Sequence, residues 1–223
     1  MTEHRVEVRT QTMKLAGVEL MADVREPANA GALVIFAHGS GSGRLSARNQ
    51  YVADVLAARG LGSLLFDLLT EAEQQLDNET GELRFDIALL AKRLIDVVDW
   101  VAGDPQLGKL RIGLFGASTG AAAALWAAAQ RPERVAAVVS RGGRTDLAEP
   151  MLGRVQAPTL HIVGSRDALV LELNRQVGRL LSCEHHLEVV PGATHLFEEP
   201  GTLAKAAALA GDWFVKYLQR ESA

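Results

Sequence analysis

The sequence has little of what marks several protein classes. Its single cysteine, Cys183, excludes an intrachain disulfide and any multi-cysteine metal site, and makes a reducing compartment the expectation. Aromatic residues are only 5% of the 223 residues. There is no long basic run, and the net charge is −4, so neither nucleic acid nor an anionic membrane is an expected partner. No uninterrupted apolar run approaches the roughly 18 residues of a membrane span. The opening "MTEHRVEVRT" lacks the apolar core of a signal peptide. The expectation is a cytoplasmic protein. No repeat or linker-like stretch divides the chain, so residues 1–223 read as one domain. No cluster has metal-ligand spacing, and no metal or cofactor is expected.

What the chain has is apolar patterning: 48% of its residues are hydrophobic and 22% charged, a balance too apolar for disorder. "HRVEVRT" (4–10) and "VELMADVRE" (18–26) alternate with period two and predict an antiparallel pair. "GALVIFAHG" (31–39) is a continuous apolar run, the pattern of a strand buried on both faces. A helix is expected over 47–60, with Tyr51, Val52, Val55 and Leu56 on one face and Gly60 as its stop. A strand is expected at 61–69, a polar acidic surface loop at 70–83, and a helix from about Arg84 to Val101. Strands at 110–116, 134–140, 157–164 and 185–190 then alternate with helices near 119–130, 170–181 and 202–220. Such alternation predicts βαβ units, a mostly parallel sheet of seven or eight strands, and helices on both faces.

"GASTG" (116–120) fits G-x-S-x-G and stands between an apolar strand and an alanine-rich helix. A nucleophilic serine at such a turn needs small neighbours, because side chains there would collide with adjoining backbone. Ser118 is the candidate nucleophile. A serine hydroxyl also needs a base, itself oriented by an acid. "GSRD" places Asp167 just beyond one strand, and "GATHLF" places His195 beyond the next. The order Ser118, Asp167, His195 puts each residue after a predicted parallel strand, where ligands gather in open α/β sheets. Asp167 could instead cap the following helix, and Asp146 and Glu149 are competing acids.

Acyl transfer further requires donors for the developing oxyanion. The amides of Thr119 and of Ser40, in "HGSGSG" (38–43), are the candidates, with Gly41 as the neighbour of Ser40. A phosphate-cradling loop fails on spacing, for want of a third glycine in G-x-G-x-x-G and of a GK[ST]. His38 reads as structural, His161, His185 and His186 as strand or surface residues, and His4 as terminal. Arg44, Arg48, Arg141 and Arg144 flank the expected site and are candidates for binding an anionic substrate group, solvated surface arginines being the alternative.

"HGSGSG", "GASTG", "GSRD" and "GATHLF" together resemble the α/β-hydrolase superfamily, and within it the compact dienelactone hydrolase-like branch, over roughly residues 15 to 220. The resemblance implies an α/β-hydrolase fold with about eight strands, no cofactor, and hydrolysis of small carboxylic esters or lactones by Ser118, Asp167 and His195. Thioester hydrolysis, acyl transfer, or a non-catalytic binding role on the same fold are the alternatives. Dienelactone hydrolases proper use a cysteine nucleophile, where this chain has Ser118, and carry an acidic residue in the oxyanion loop, near where this chain has Gly39. Those departures favour a serine carboxylesterase. Only residues 141–156 follow the sixth strand before the next, too few for a cap domain, so an open, shallow site is expected. The expected partner is a small ester, with homo-oligomerisation left open.

Overall fold

The computed structural model of the protein describes residues 6–27 and 30–219; His4 lies outside them. One eight-stranded sheet runs through it in the order β1-β2-β4-β3-β5-β6-β7-β8. The strands are β1 (Val6–Leu15), β2 (Val18–Pro27), β3 (Ala32–Ala37), β4 (Gly62–Phe66), β5 (Arg111–Ala117), β6 (Val135–Arg141), β7 (Thr159–Gly164) and β8 (His185–Val190). β2 pairs antiparallel with both β1 and β4, and the remaining neighbours pair parallel. This is the mostly parallel sheet that the alternating pattern predicts, in the α/β-hydrolase arrangement that the resemblance implies. Among the described residues no helix is long and apolar enough to cross a membrane.

The helices are α1 (Ala47–Ala57), α2 (Glu71–Thr80), α3 (Ile87–Gly103), α4 (Thr119–Gln130), the single turn α5 (Glu149–Leu152), α6 (Ala168–Gly178) and α7 (Thr202–Leu218). β3 shows why its sequence is apolar at every position. Leu33, Ile35 and Ala37 enter the core that α3 and α4 cover, while Ala32, Val34 and Phe36 enter the core that α1 and α7 cover. The period-two geometry of a strand sends alternate side chains to opposite layers, and helices close both. Chain order reverses at β3, whose partners are β4 on one side and β5 on the other. The loops after β3 and β5 therefore diverge at the carboxyl end of the sheet and leave a crevice there.

Three local expectations need correction. Residues 70–83 are not a surface loop, because they hold α2. Thr70 Oγ1 accepts from the Glu73 amide at 3.2 Å and a Glu73 carboxylate oxygen accepts from the Thr70 amide at 2.8 Å. That reciprocal capping starts a helix whose composition alone does not suggest one. The next helix does not begin at Arg84: a 3-10 turn over Leu83–Phe85 precedes it, and Asp86 caps α3 through the Leu89 amide at 3.0 Å. Tyr51 does not share the buried face of Val52 and Leu56 in α1, being 41% exposed.

Candidate active site

Ser118 occupies the turn from β5 into α4 with φ 50° and ψ −121°, a backbone conformation rare for a residue with a side chain. The surroundings hold it there. Its amide donates to the Arg141 carbonyl at 3.2 Å, and its own carbonyl accepts from the amides of Ala121 and Arg144 at 3.1 and 3.0 Å. The flanking glycines are required by close approach. A Cβ on Gly116 would lie 2.3 Å from the Ala121 Cα, and one on Gly120 would lie 2.2 Å from the Ala37 carbonyl oxygen. Ala121–Ala124 are fully buried, so the helix behind the turn sits close to the sheet.

The acid and histidine loops are tied to each other before their side chains meet. The Arg166 amide donates to the Ala193 carbonyl at 2.9 Å, and the Gly192 amide donates to Ser165 Oγ at 2.8 Å. Asp167 stands at the N-cap position of α6 but makes no capping hydrogen bond. Its Oδ2 lies 2.6 Å from His195 Nδ1, and His195 Nε2 lies 3.2 Å from Ser118 Oγ. A carboxylate only accepts, so Nδ1 carries the proton and Nε2 is left to accept from the serine hydroxyl. The relay can therefore take a proton from Ser118. The competing acid Asp146 is spent elsewhere, accepting from Arg144 Nε and Nη2 at 2.9 and 2.8 Å.

The structure brings Ser40 and Thr119 together: their hydroxyls are 3.0 Å apart. Thr119 is the first residue of α4, where helix geometry leaves the amide without an intrahelical acceptor. His38 anchors the loop between them. Its Nε2 accepts from the Leu68 amide at 3.0 Å, so Nδ1 is the protonated nitrogen and donates to the Gly39 carbonyl at 2.9 Å. Burial lowers its pKa and keeps it neutral. His38 is structural, as expected.

The segment over this loop was missed by the sequence reading. Asp77, on α2, is fully buried and accepts from the Arg84 amide and Nε at 2.9 and 2.7 Å, while Arg84 Nη2 donates to the Asp77 carbonyl at 2.9 Å. Burial alone would raise the Asp77 pKa, but the Arg84 amide and guanidinium outweigh it and hold the carboxyl below its ordinary range. The Arg84 carbonyl in turn accepts from Ser40 Oγ at 3.4 Å, and Gly41 lies against the Arg84 guanidinium in a hollow beside the cavity at Ser118. The cavity at Ser118, about 290 Å³, is lined by Ser40, Ser118, His195 and Phe85, together with Arg48 and Arg141.

The candidate arginines separate. Arg44 is held by Asp67, Nη1 to Oδ2 at 2.6 Å, and by Asp23 at 3.5 Å, on the wall of a neighbouring groove. Arg144 is forked onto Asp146 and does not line the cavity. A nearby carboxylate claims each guanidinium, and neither residue lines the cavity at Ser118. Arg141 and Arg48 do line the cavity.

Comparison with known proteins agrees with this architecture. A crystal structure of a dienelactone hydrolase from Anabaena variabilis superposes with a TM-score of 0.95 at 49% identity, covering 97% of this chain and 100% of that one. A cold-adapted esterase from an Arctic intertidal metagenomic library has the same fold, with a TM-score of 0.75 at 19% identity, covering 96% of this chain and 95% of that one. Two Mycobacterium tuberculosis proteins, named as candidate phosphoribosyl transferases, are each 58% identical over 186 residues, 83% of this chain and 41% of theirs. The chain thus spans about two fifths of the length of these curated relatives. The dienelactone hydrolase family model matches residues 21–222, and with its eight-stranded fold the chain belongs to that family of hydrolases.

Proposed function

We propose that this chain is a serine hydrolase that cleaves small or short-acyl carboxylic esters through an acyl-enzyme on Ser118. The observation that carries the reading is the continuous relay from Asp167 through His195 to Ser118, 2.6 and 3.2 Å long, ending on a serine with positive φ. Ser118 Oγ attacks the ester carbonyl while His195 Nε2 takes its proton. Asp167 keeps the imidazole in the required tautomer and stabilises the imidazolium. The amides of Ser40 and Thr119 receive the negative charge of the tetrahedral intermediate. Collapse expels the alcohol, which takes the proton from His195. Water, deprotonated by His195, then attacks the acyl-enzyme and releases the carboxylic acid and Ser118. No cofactor enters these steps, and a reducing cytoplasm suits a chain whose only cysteine is Cys183.

Lactone hydrolysis is the second reading, favoured by the likeness to the Anabaena dienelactone hydrolase; a lactone is a cyclic ester and would use the same relay. The transferase name of the mycobacterial proteins is not carried over, because the chain spans 41% of them and the relay described is suited to acyl transfer. The test is Ser118→Ala against p-nitrophenyl acetate, with a fluorophosphonate as active-site label. The variant should lose turnover and labelling while keeping the wild-type melting temperature. Turnover retained in a folded Ser118→Ala protein would overturn the reading.

A further inference from the structure

Arg141 takes no part in the acyl-transfer steps, yet its position is an unfavourable one for a cation. It ends β6 and is 7% exposed. Among the described residues no carboxylate forms an ion pair with it. Its Nη2 donates to Asn49 Oδ1 at 3.3 Å, while its Nη1 is buried without any hydrogen-bond partner. The rings of Phe115 and Phe197 lie 5.8 and 6.0 Å from its Cζ and supply only weak compensation. Burial first, and then the charge of Arg48, push its pKa down to about 10. A buried guanidinium with an unused donor lacks an anion.

The surrounding groups have the same sign. Arg48 lines the same cavity, and its ion pair, to Glu198 at 3.4 Å, involves a carboxylate 65% exposed. Ser46, Arg48 and Asn49 bring the first turn of α1 to the cavity wall, and that turn holds no acidic residue. The Ala47 and Arg48 amides have no intrahelical acceptor there, and an α-helix carries roughly half a positive charge at this end. The hydroxyls of Ser42 and Ser46 add donors, and among the described residues no carboxylate lines the cavity.

We propose that Arg141, Arg48 and the first turn of α1 bind a phosphate group carried by the substrate, in the same cavity that Ser118 and His195 line. The inference rests on the ester reading only for Ser118 as the reacting group. Charge selects phosphate over carboxylate. Two guanidiniums and a helix terminus match a phosphomonoester of about −1.5 to −2, with three acceptor oxygens. A carboxylate carries one charge and two acceptor oxygens, so it would satisfy Arg141, the partly compensated Arg48 and the helix terminus less completely than a phosphate. The substrate class is thus a carboxylic ester of a small phosphorylated molecule. Hydrolysis breaks the acyl C–O bond and leaves the phosphate ester intact as the binding handle.

Isothermal titration calorimetry of the whole protein with inorganic phosphate, phenyl phosphate, acetate and succinate tests this without requiring turnover. Both phosphates should bind saturably, about tenfold or more tighter than either carboxylate. Arg141→Gln and, separately, Arg48→Gln should each weaken phosphate by about tenfold or more. Inorganic phosphate should also slow fluorophosphonate labelling of Ser118. If Arg141→Gln does not fold, Arg48→Gln decides, since that side chain is 35% exposed. Carboxylates binding as tightly as phosphate, or phosphate affinity unchanged in the folded variants, would overturn the proposal. A wild-type Ser118 that fails to label would count against the ester reading alone, and the calorimetry would still decide the anion site.

Discussion

Gly120→Ala tests how closely the turn beneath Ser118 is packed. Two effects oppose each other. Gly120 lies in α4, where alanine is intrinsically favoured over glycine by about 1 kcal/mol. Against this, the new Cβ would stand 2.2 Å from the Ala37 carbonyl oxygen and 2.5 Å from that of His38. Ordinary contact needs about 1 Å more. These oxygens belong to the backbone at the end of β3, a strand paired with β4 and β5, so no side-chain rotation relieves the overlap. Overpacking of this kind costs about 1–3 kcal/mol, and it should win. The net loss, up to about 2 kcal/mol, lowers Tm by as much as roughly 8 °C for a chain of this size. Activity should fall further. The helix must move away from the strand that leads into Gly39 and Ser40, which separates Ser118 from the oxyanion loop, and a misplacement of about 1 Å costs roughly 100-fold in rate. Calorimetric melting and kcat/KM on p-nitrophenyl acetate read both effects. Gly103→Ala is the control, because nothing lies within 4 Å of its Cβ position. A Gly120→Ala protein with wild-type Tm and kcat/KM would refute the packing argument.

The acid assignment separates two variants. Asp167→Asn should lower kcat by roughly 10³–10⁴, because a carboxamide can stabilise the wrong imidazole tautomer, whereas Asp146→Asn should change kcat by less than about threefold. Equal losses in the two would refute the relay as drawn. His161 should control part of the acid limb of stability. It is fully buried, its Nδ1 lies 2.8 Å from Asn174 Oδ1, and burial pushes its pKa down to about 4. The unfolded chain protonates this group near its ordinary value of 6.5, the folded chain only near 4, so the unfolded state binds more protons in between. The contribution is intact above pH 6.5 and is lost as pH falls towards 4, amounting to about 3 kcal/mol there. Urea midpoints at pH 7 and pH 4.5 should therefore differ less in His161→Gln than in the wild type. Parallel acid limbs in the two proteins would show that His161 is not responsible.

The sheet and the relay were readable from sequence for one topological reason. In a parallel sheet crossed by helices, every strand delivers its following loop to the same edge, so residues far apart in sequence converge once the strands are recognised. Continuous apolar runs such as "ALVIFA" and "TLHIVG" mark most of those strands; Ser118 and Asp167 follow β5 and β7, and His195 follows β8, the half-exposed "HHLEVV". The contacts that set their final distances were less visible. The bond from Arg166 to Ala193 that joins two loops is backbone to backbone, and no side-chain pattern records it. α2 was missed for a different reason. Its composition, "EAEQQLDNET", is too polar to show an apolar face, and only Asp77 is buried in it. Its detectable signal was local: the threonine-to-glutamate spacing of Thr70 and Glu73, which caps a helix whatever its faces.

That omission bears on substrate choice more than on chemistry. The expectation of an open, shallow site came from the short connection after β6, which left residues 71–86 out of account. Those residues supply Phe85 to the cavity wall and, through Asp77 and Arg84, a support for the loop that carries Ser40. The arginines follow the same division. Four flank the site in sequence, but a guanidinium is available to a ligand only where no carboxylate claims it. Asp67 and Asp146 claim Arg44 and Arg144 through contacts between side chains, and the Asp67 contact crosses 23 residues. Arg141 is left with an amide oxygen and two aromatic rings. Reacting groups that sit on strand ends can be found by topology. Groups that recognise the rest of the substrate are selected by which charges remain unpaired, and that is decided only when the loops have folded over one another.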